Sequence, residues 1–154
     1  MTKVLFVCLG NICRSPLAEA IFVHMCKLKG ITKISSDSAG TGAYHIGEQP
    51  DPRTIQVAQE NEIHIYHKAR KFKIQDCEDF DYIFAMDEAN YQNIVAIVGH
   101  KPEQLYLLRE FDPDTSQEGD LNVPDPYYGS LKDFRSIFYM MSESLENFIE
   151  TKLR

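Results

Sequence analysis

The segment KVLFVC, Lys3 to Cys8, constrains the fold of this chain more than any other. Its apolar residues run unbroken, where a half-buried strand would alternate with a period of two. It therefore reads as a strand covered on both faces, as in a parallel sheet. A parallel strand must be followed by a crossover, and helical spacing takes over within eight residues. Ser15 is a candidate cap and Pro16 suits the first helical position, where its missing N–H costs nothing. A helix from Pro16 to about Lys29 follows, stopped by Gly30.

The alternation continues along the chain. KISSDSAG, Lys33 to Gly40, reads as a strand, and PRTIQVAQENE, Pro52 to Glu62, as a helix opened by Asp51. FDYIFAMD, Phe80 to Asp87, is a second buried strand, followed by a helix over EANYQNIVAIV that ends at Gly99. The strand QLYLLREF, Gln104 to Phe111, leads into a polar stretch, Asp112 to Ser130, that carries three prolines and two glycines. A last helix, Leu131 to about Leu153, places Phe134, Phe138, Met141, Leu145 and Phe148 on one stripe. The expected fold class is α/β: one three-layer α/β/α domain over residues 1–154, with a central, mostly four-stranded parallel sheet and right-handed crossovers. Ligands of such sheets bind beyond the carboxyl ends of the strands, where Cys8 lies.

Charge narrows the function. With 16 Lys+Arg against 23 Asp+Glu the formal charge is −7, which opposes general attraction to nucleic acid or to an anionic membrane. Neither is expected as a partner, so any anion must be captured by a local site. No run approaches the roughly 18 apolar residues of a membrane span. Four cysteines in a chain of 154 residues do not make a disulfide scaffold, and a reducing, cytoplasmic setting is expected.

The local anion site is CLGNICRS, Cys8 to Ser15. Five residues separate Cys8 from Arg14 at a strand-to-helix turn. A loop of that length can curl its N–H groups inward, and the helix N-terminus adds positive potential at the same place. Leu9, Gly10, Asn11, Ile12, Cys13, Arg14 and Ser15 would then cradle a phosphate or similar oxyanion. Arg14 adds a planar, always charged fork that matches two of its oxygens. The same field favours a thiolate at Cys8, so the anion site makes its own nucleophile. Gly10 allows close backbone approach, Asn11 can bond within the loop, and Ser15 can donate to the sulfur.

A thiolate that attacks a phosphate ester needs a general acid from a separate loop. Asp125 in VPDPYYGS is the candidate, although Asp-Pro read alone is a turn opener. Cys13 shares the curl with Cys8, and mild peroxide is expected to join them in a disulfide that a dithiol reverses. Read alone, Cys13 is a small apolar residue that fills space. Cys8 and Cys13 could also begin a zinc site, but no matching Cys or His pair follows at the usual spacing. No metal or other cofactor is expected.

These segments resemble the low-molecular-weight protein tyrosine phosphatases, from VLFVCLGNICRSPLAEAIF through DSAGTGAY, HKAR and FDYIFAMDEAN to VPDPYYG. The resemblance implies that Cys8 forms a phosphocysteine intermediate, that Arg14 steadies the transferring phosphoryl group, and that Asp125 protonates the leaving phenolate and then activates water. It implies substrate-ring walls at Tyr44 and Tyr127. It also implies a supporting network in which Ser38 and His67 act on the loop through Asn11, and Asp87 supports His67. Read alone, His67 is a surface histidine among basic residues, Ser38 a strand end and Asp87 a helix cap. The implied partners are phosphotyrosine proteins or small aryl phosphates. The adjacent Tyr127 and Tyr128 match a pair that can itself be phosphorylated in the family.

Thioredoxin-coupled arsenate reductases share the Cys-loop-Arg arrangement but need two more redox cysteines downstream. Here Cys77 stands alone and Cys26 falls on the first helix. A non-catalytic anion-binding module would need neither the thiol nor a proton donor.

Overall fold

The unbroken apolar run of the first strand is matched by complete burial: Val4, Leu5, Phe6 and Val7 are inaccessible within β1 (Thr2–Cys8). The computed structural model describes residues 1–114 and 120–154. Its sheet has the order β2-β1-β3-β4 and is parallel throughout, with β2 at Ile34–Gly40, β3 at Tyr82–Ala85 and β4 at Leu105–Leu107. Cys8 pairs with Gly40 at the end of the β1–β2 ladder, and Val7 with Ala85 on the other side. β1 is thus central, and its carboxyl end opens where the connections diverge. Ligands bind at that place in open parallel sheets.

Helices cover both faces. α1 (Arg14–Leu28), α2 (Pro52–Glu60) and α5 (Leu131–Phe148) pack over the face formed by Val4, Phe6 and Phe84. Phe148 meets Phe84 edge-on at 4.9 Å between ring centroids, tying the last helix to the middle of the sheet. α4 (Glu88–Val98) lies against the opposite face, where Ile94 joins Leu5, Val7 and Ile83. Burial of side chains of this size stabilises by about 1.5–3 kcal/mol each. The three-layer α/β/α arrangement is as expected.

Some boundaries differ for local reasons. α1 starts at Arg14, and Ser15 is not its cap, because the hydroxyl is engaged with Cys8. The expected strand Gln104 to Phe111 keeps only three residues as β4. The Glu110 carboxylate accepts from the Leu107 N–H at 2.6 Å and winds Leu108–Phe111 into a 3₁₀ turn. A short helix, α3 (Asp76–Asp79), lies in a segment for which no element was expected. The last helix continues beyond Phe148 as one π-helical turn, Ile149–Leu153. Of the polar stretch Asp112 to Ser130, residues 115–119 lie outside the described residues. Among the described residues no helix is long and apolar enough to cross a membrane.

Candidate active site

β1 ends and α1 begins within six residues, and the intervening chain curls around Cys8. Cys8 is 2 % exposed, and its sulfur accepts from the Asn11 N–H at 3.3 Å and lies 3.0 Å from Ser15 Oγ. The first-turn N–H groups of α1 have no acceptors within the helix, so its positive end stands at the same place. The tight curl forces Asn11 to φ 58°, a left-handed conformation that asparagine tolerates better than most residues. Below the loop, Gly40 leaves no room for a side chain: a Cβ there would stand 2.7 Å from the Leu9 carbonyl oxygen.

The side chain of Asn11 is oriented without ambiguity. The backbone N–H of Arg70 can only donate, and it reaches Asn11 Oδ1 at 3.0 Å. Asn11 Nδ2 therefore faces the hydroxyls of Ser15 (2.8 Å) and Ser38 (3.0 Å), which both accept. Ser15 is left with one hydrogen, and Cys8 Sγ is nearer than its other acceptor, the Ala39 carbonyl at 3.4 Å. His67 Nε2 lies 2.7 Å from Asn11 Oδ1 and so must carry a hydrogen. Ser38 in turn donates to Glu19 Oε1 at 2.9 Å. A continuous chain of bonds links Glu19 and His67 to Cys8.

Arg14 is 2 % exposed and faces the cleft between two supports. Nη1 donates to Asp87 Oδ2 at 2.6 Å and to the Val123 carbonyl at 2.9 Å, while Nη2 lies 3.7 Å from Asp125 Oδ2. Burial disfavours the charged guanidinium, but Cys8 and Asp87 more than offset it, and the Arg14 pKa lies above the usual arginine value. Asp87 is a correction to the expected network, because its carboxylate bonds Arg14 rather than supporting His67. The topology explains this: Asp87 follows β3 on one side of β1, whereas His67 reaches the loop beside Ser38 of β2 on the other. Asp87 also caps α4, accepting from the Asn90 N–H at 2.8 Å.

Asp125 stands on the far wall, and its segment is fastened at both ends. Val123 bonds to Met86 next to β3. Arg53 of α2 holds the carbonyls of Tyr127 and Gly129 at 2.9 and 3.0 Å, and is itself gripped by Asp51. Asp125 Oδ1 accepts from the Tyr127 N–H at 3.0 Å, leaving Oδ2 toward Arg14. Together with Leu9, Gly10, Ile12, Cys13, His45 and Tyr128, the residues Cys8, Arg14, Asp125, Tyr44 and Tyr127 line a cleft of about 420 Å³. Tyr44 is 73 % exposed and Tyr127 39 %, so the two rings stand at the mouth rather than in the core. Sequence reading missed Glu19, Arg53, Arg70 and His45. Asp51-Pro52 marked the start of α2 but gave no sign of what Arg53 would reach.

Fold and site together define a class, an α/β protein that holds a buried cysteine and a buried arginine in one curled loop at the carboxyl end of its central strand. The sequence model described as low molecular weight phosphotyrosine protein phosphatase matches residues 3–154, and the chain belongs to that family. It is 43% identical over 161 residues to the low molecular weight phosphotyrosine protein phosphatase of Schizosaccharomyces pombe, a match that covers 98% of this chain and 99% of that protein. Among solved structures, a protein tyrosine phosphatase from Entamoeba histolytica with Hepes in its active site aligns with a TM-score of 0.91 at 36% identity, over 97% of this chain and 96% of that one. A Drosophila arginine phosphatase aligns with a TM-score of 0.87 at 33% identity, over 97% and 96%.

Proposed function

We propose that this chain, acting as one domain over residues 1–154, hydrolyses phosphotyrosine and related aryl phosphate monoesters through a phosphocysteine intermediate. The observation that carries this reading is that Cys8, Arg14 and Asp125 line one cleft, with Arg14 Nη2 3.7 Å from Asp125 Oδ2. A phosphoryl group forked by Arg14 would have the sulfur on one side and the carboxyl on the other.

In the first step the Cys8 thiolate attacks phosphorus, the ester P–O bond breaks, and Asp125 gives its proton to the departing phenolate. In the second, the Asp125 carboxylate takes a proton from water as the oxygen attacks phosphorus. The S–P bond breaks, and inorganic phosphate leaves the restored thiolate. Ser15 and the Asn11 N–H stabilise the sulfur when it is a leaving group. The two exposed tyrosines would flank the substrate ring. The step needs no cofactor. A cytoplasmic location suits four free thiols, and the same loop gives Cys13 the part of a protecting thiol when Cys8 is oxidised.

The test is turnover by purified protein of para-nitrophenyl phosphate and of phosphotyrosine, phosphoserine and phosphoarginine peptides. Preference for the aryl esters is expected. The likeness to an arginine phosphatase makes phosphoarginine the decisive competitor, and faster turnover of that substrate would overturn the aryl assignment.

A further inference from the structure

We infer that Arg53 is a positioning residue for the Asp125 proton donor, and that the first turn of α2 holds the two halves of the site in register. The inference rests on the reading of Asp125 as the general acid. DPYYGS, Asp125 to Ser130, lies outside every strand and helix, so no ladder fixes where the carboxyl stands. Its backbone is held from α2 instead: Arg53 Nη2 donates to the Tyr127 carbonyl at 2.9 Å and Nη1 to the Gly129 carbonyl at 3.0 Å. The N–H of that same Tyr127 donates to Asp125 Oδ1 at 3.0 Å. One residue thus carries Arg53 on its carbonyl and Asp125 on its N–H.

Arg53 is itself fixed in place and in orientation. The two carboxylate oxygens of Asp51 accept from its Nε at 3.0 Å and its Nη2 at 2.9 Å, and the guanidinium carbon stands 4.4 Å from the centroid of the Phe134 ring. Phe134 is fully buried on α5, so the ring that carries the guanidinium face does not give way. A planar fork with bonds along its edges and a ring on its face can serve the carbonyls of two alternate residues at once. Lysine could supply the charge there, but not that spacing of donors.

The same turn grips the phosphate-binding loop. The Asp51 N–H donates to the Ile12 carbonyl at 2.8 Å, and Thr54 Oγ1 donates to the Cys13 carbonyl at 3.2 Å. In a trans peptide the N–H lies opposite the C=O, so these two bonds turn the N–H groups of Cys13 and Arg14 away from α2. Asp51 therefore holds the loop of the nucleophile through its backbone, and through its carboxylate the side chain that holds the loop of the acid. A reacting group displaced by about 1 Å can lose about a hundredfold in rate, so a bracket between the two loops bears directly on proton transfer.

The experiment compares kcat/KM for phenyl phosphate and para-nitrophenyl phosphate in wild type, Arg53→Ala, Asp125→Asn and the double variant. This ratio covers P–O cleavage, in which phenolate needs the proton and nitrophenolate needs it far less. Arg53→Ala should lose about ten- to a hundredfold on phenyl phosphate and less than about threefold on the nitrophenyl ester, while inorganic phosphate inhibits it as it does wild type. In the Asp125→Asn background the same substitution should cost less than about twofold on either ester, because the group it positions is already gone. Inhibition by phosphate reports that fold and loop are intact. If Arg53→Ala does not fold, Arg53→Lys, which keeps the charge and cannot span both carbonyls, is measured in its place with the same pattern expected. Equal losses on the two esters, or an undiminished further loss in the Asp125→Asn background, would overturn the positioning role. Equal losses in Asp125→Asn itself would overturn the general-acid reading, and the inference with it.

Discussion

Arg14 is held from behind by Asp87, its Nη1 donating to Oδ2 at 2.6 Å, with both side chains removed from most of the solvent. A guanidinium fixed in this way keeps its other edge aimed into the cleft without being reoriented by each substrate. Asp87→Asn turns an amide N–H toward Arg14 and removes the opposing charge. The expected loss in kcat/KM on para-nitrophenyl phosphate is about ten- to a hundredfold, equivalent to the 1.5–3 kcal/mol of a hydrogen bond to a charged group. Far-ultraviolet dichroism should be unchanged, because the variant can still cap α4.

Cys8→Ser should abolish turnover and keep phosphate binding, since the cradle survives and a serine hydroxyl does not ionise at neutral pH. Arg14→Ala should lose both. Calorimetric titration with phosphate, run beside the turnover assay, separates the two variants. Hydrolysis by the serine protein above trace contamination would assign the nucleophile elsewhere.

Asp125→Asn retains an oxygen for the Tyr127 N–H, so the turn is kept while the proton donor is lost. On a phenyl ester with a poor leaving group kcat should drop by about 10²–10⁴, with a smaller drop on an activated phenol. Equal losses on both would make Asp125 a structural turn.

Burial, followed by the charges of Asp51 and Cys8, raises the Cys13 pKa to about 12, so Cys13 meets an oxidised Cys8 as a thiol. Condensation of the Cys8 sulfenic acid with the Cys13 thiol forms the S–S bond and releases water. After mild peroxide, a dithiol should restore wild type, whereas Cys13→Ala should stay largely inactive and carry sulfinic acid by mass spectrometry. Full recovery of the variant would leave Cys13 as packing.

Glu19 makes stability fall with rising pH. Its folded pKa, about 7, lies above the ordinary value of 4.5, so the folded state holds the proton more tightly than the unfolded one. The resulting stabilisation is fully present below 4.5 and is lost as pH rises through about 7, to a total on the order of 3 kcal/mol. Glu19→Gln should flatten this part of the profile in thermal melts. Parallel curves for the two proteins would place the titration on another group.

What could be read in advance was whatever lay within one stretch of chain. Lys3 to Ser15 carries its own strand pattern, turn and helix start, so Cys8 and Arg14 were legible as members of one curled loop. The bonds around Asn11 were not, because Glu19, Ser38, His67 and Arg70 meet only after β2 and the segment beyond α2 come together. The misassigned partner of Asp87 has the same origin. A motif gives the residue, and only the strand order tells on which side of β1 it falls. β4 was read too long because nothing in QLYLLREF marks the Glu110 side chain as the group that folds back on Leu107.

The absence of space above Gly40 divides the cleft into two kinds of material. Its floor is a mould cast by backbone, where the Leu9 carbonyl and the Asn11 N–H lie 2.7 and 3.1 Å from the position of a Cβ that cannot be added. No side chain can be added at position 40 without displacing the loop above it. Attempts to redirect the selectivity of this scaffold should therefore leave position 40 alone and be made at the exposed lining side chains, Leu9, Tyr44, Tyr127 and Tyr128.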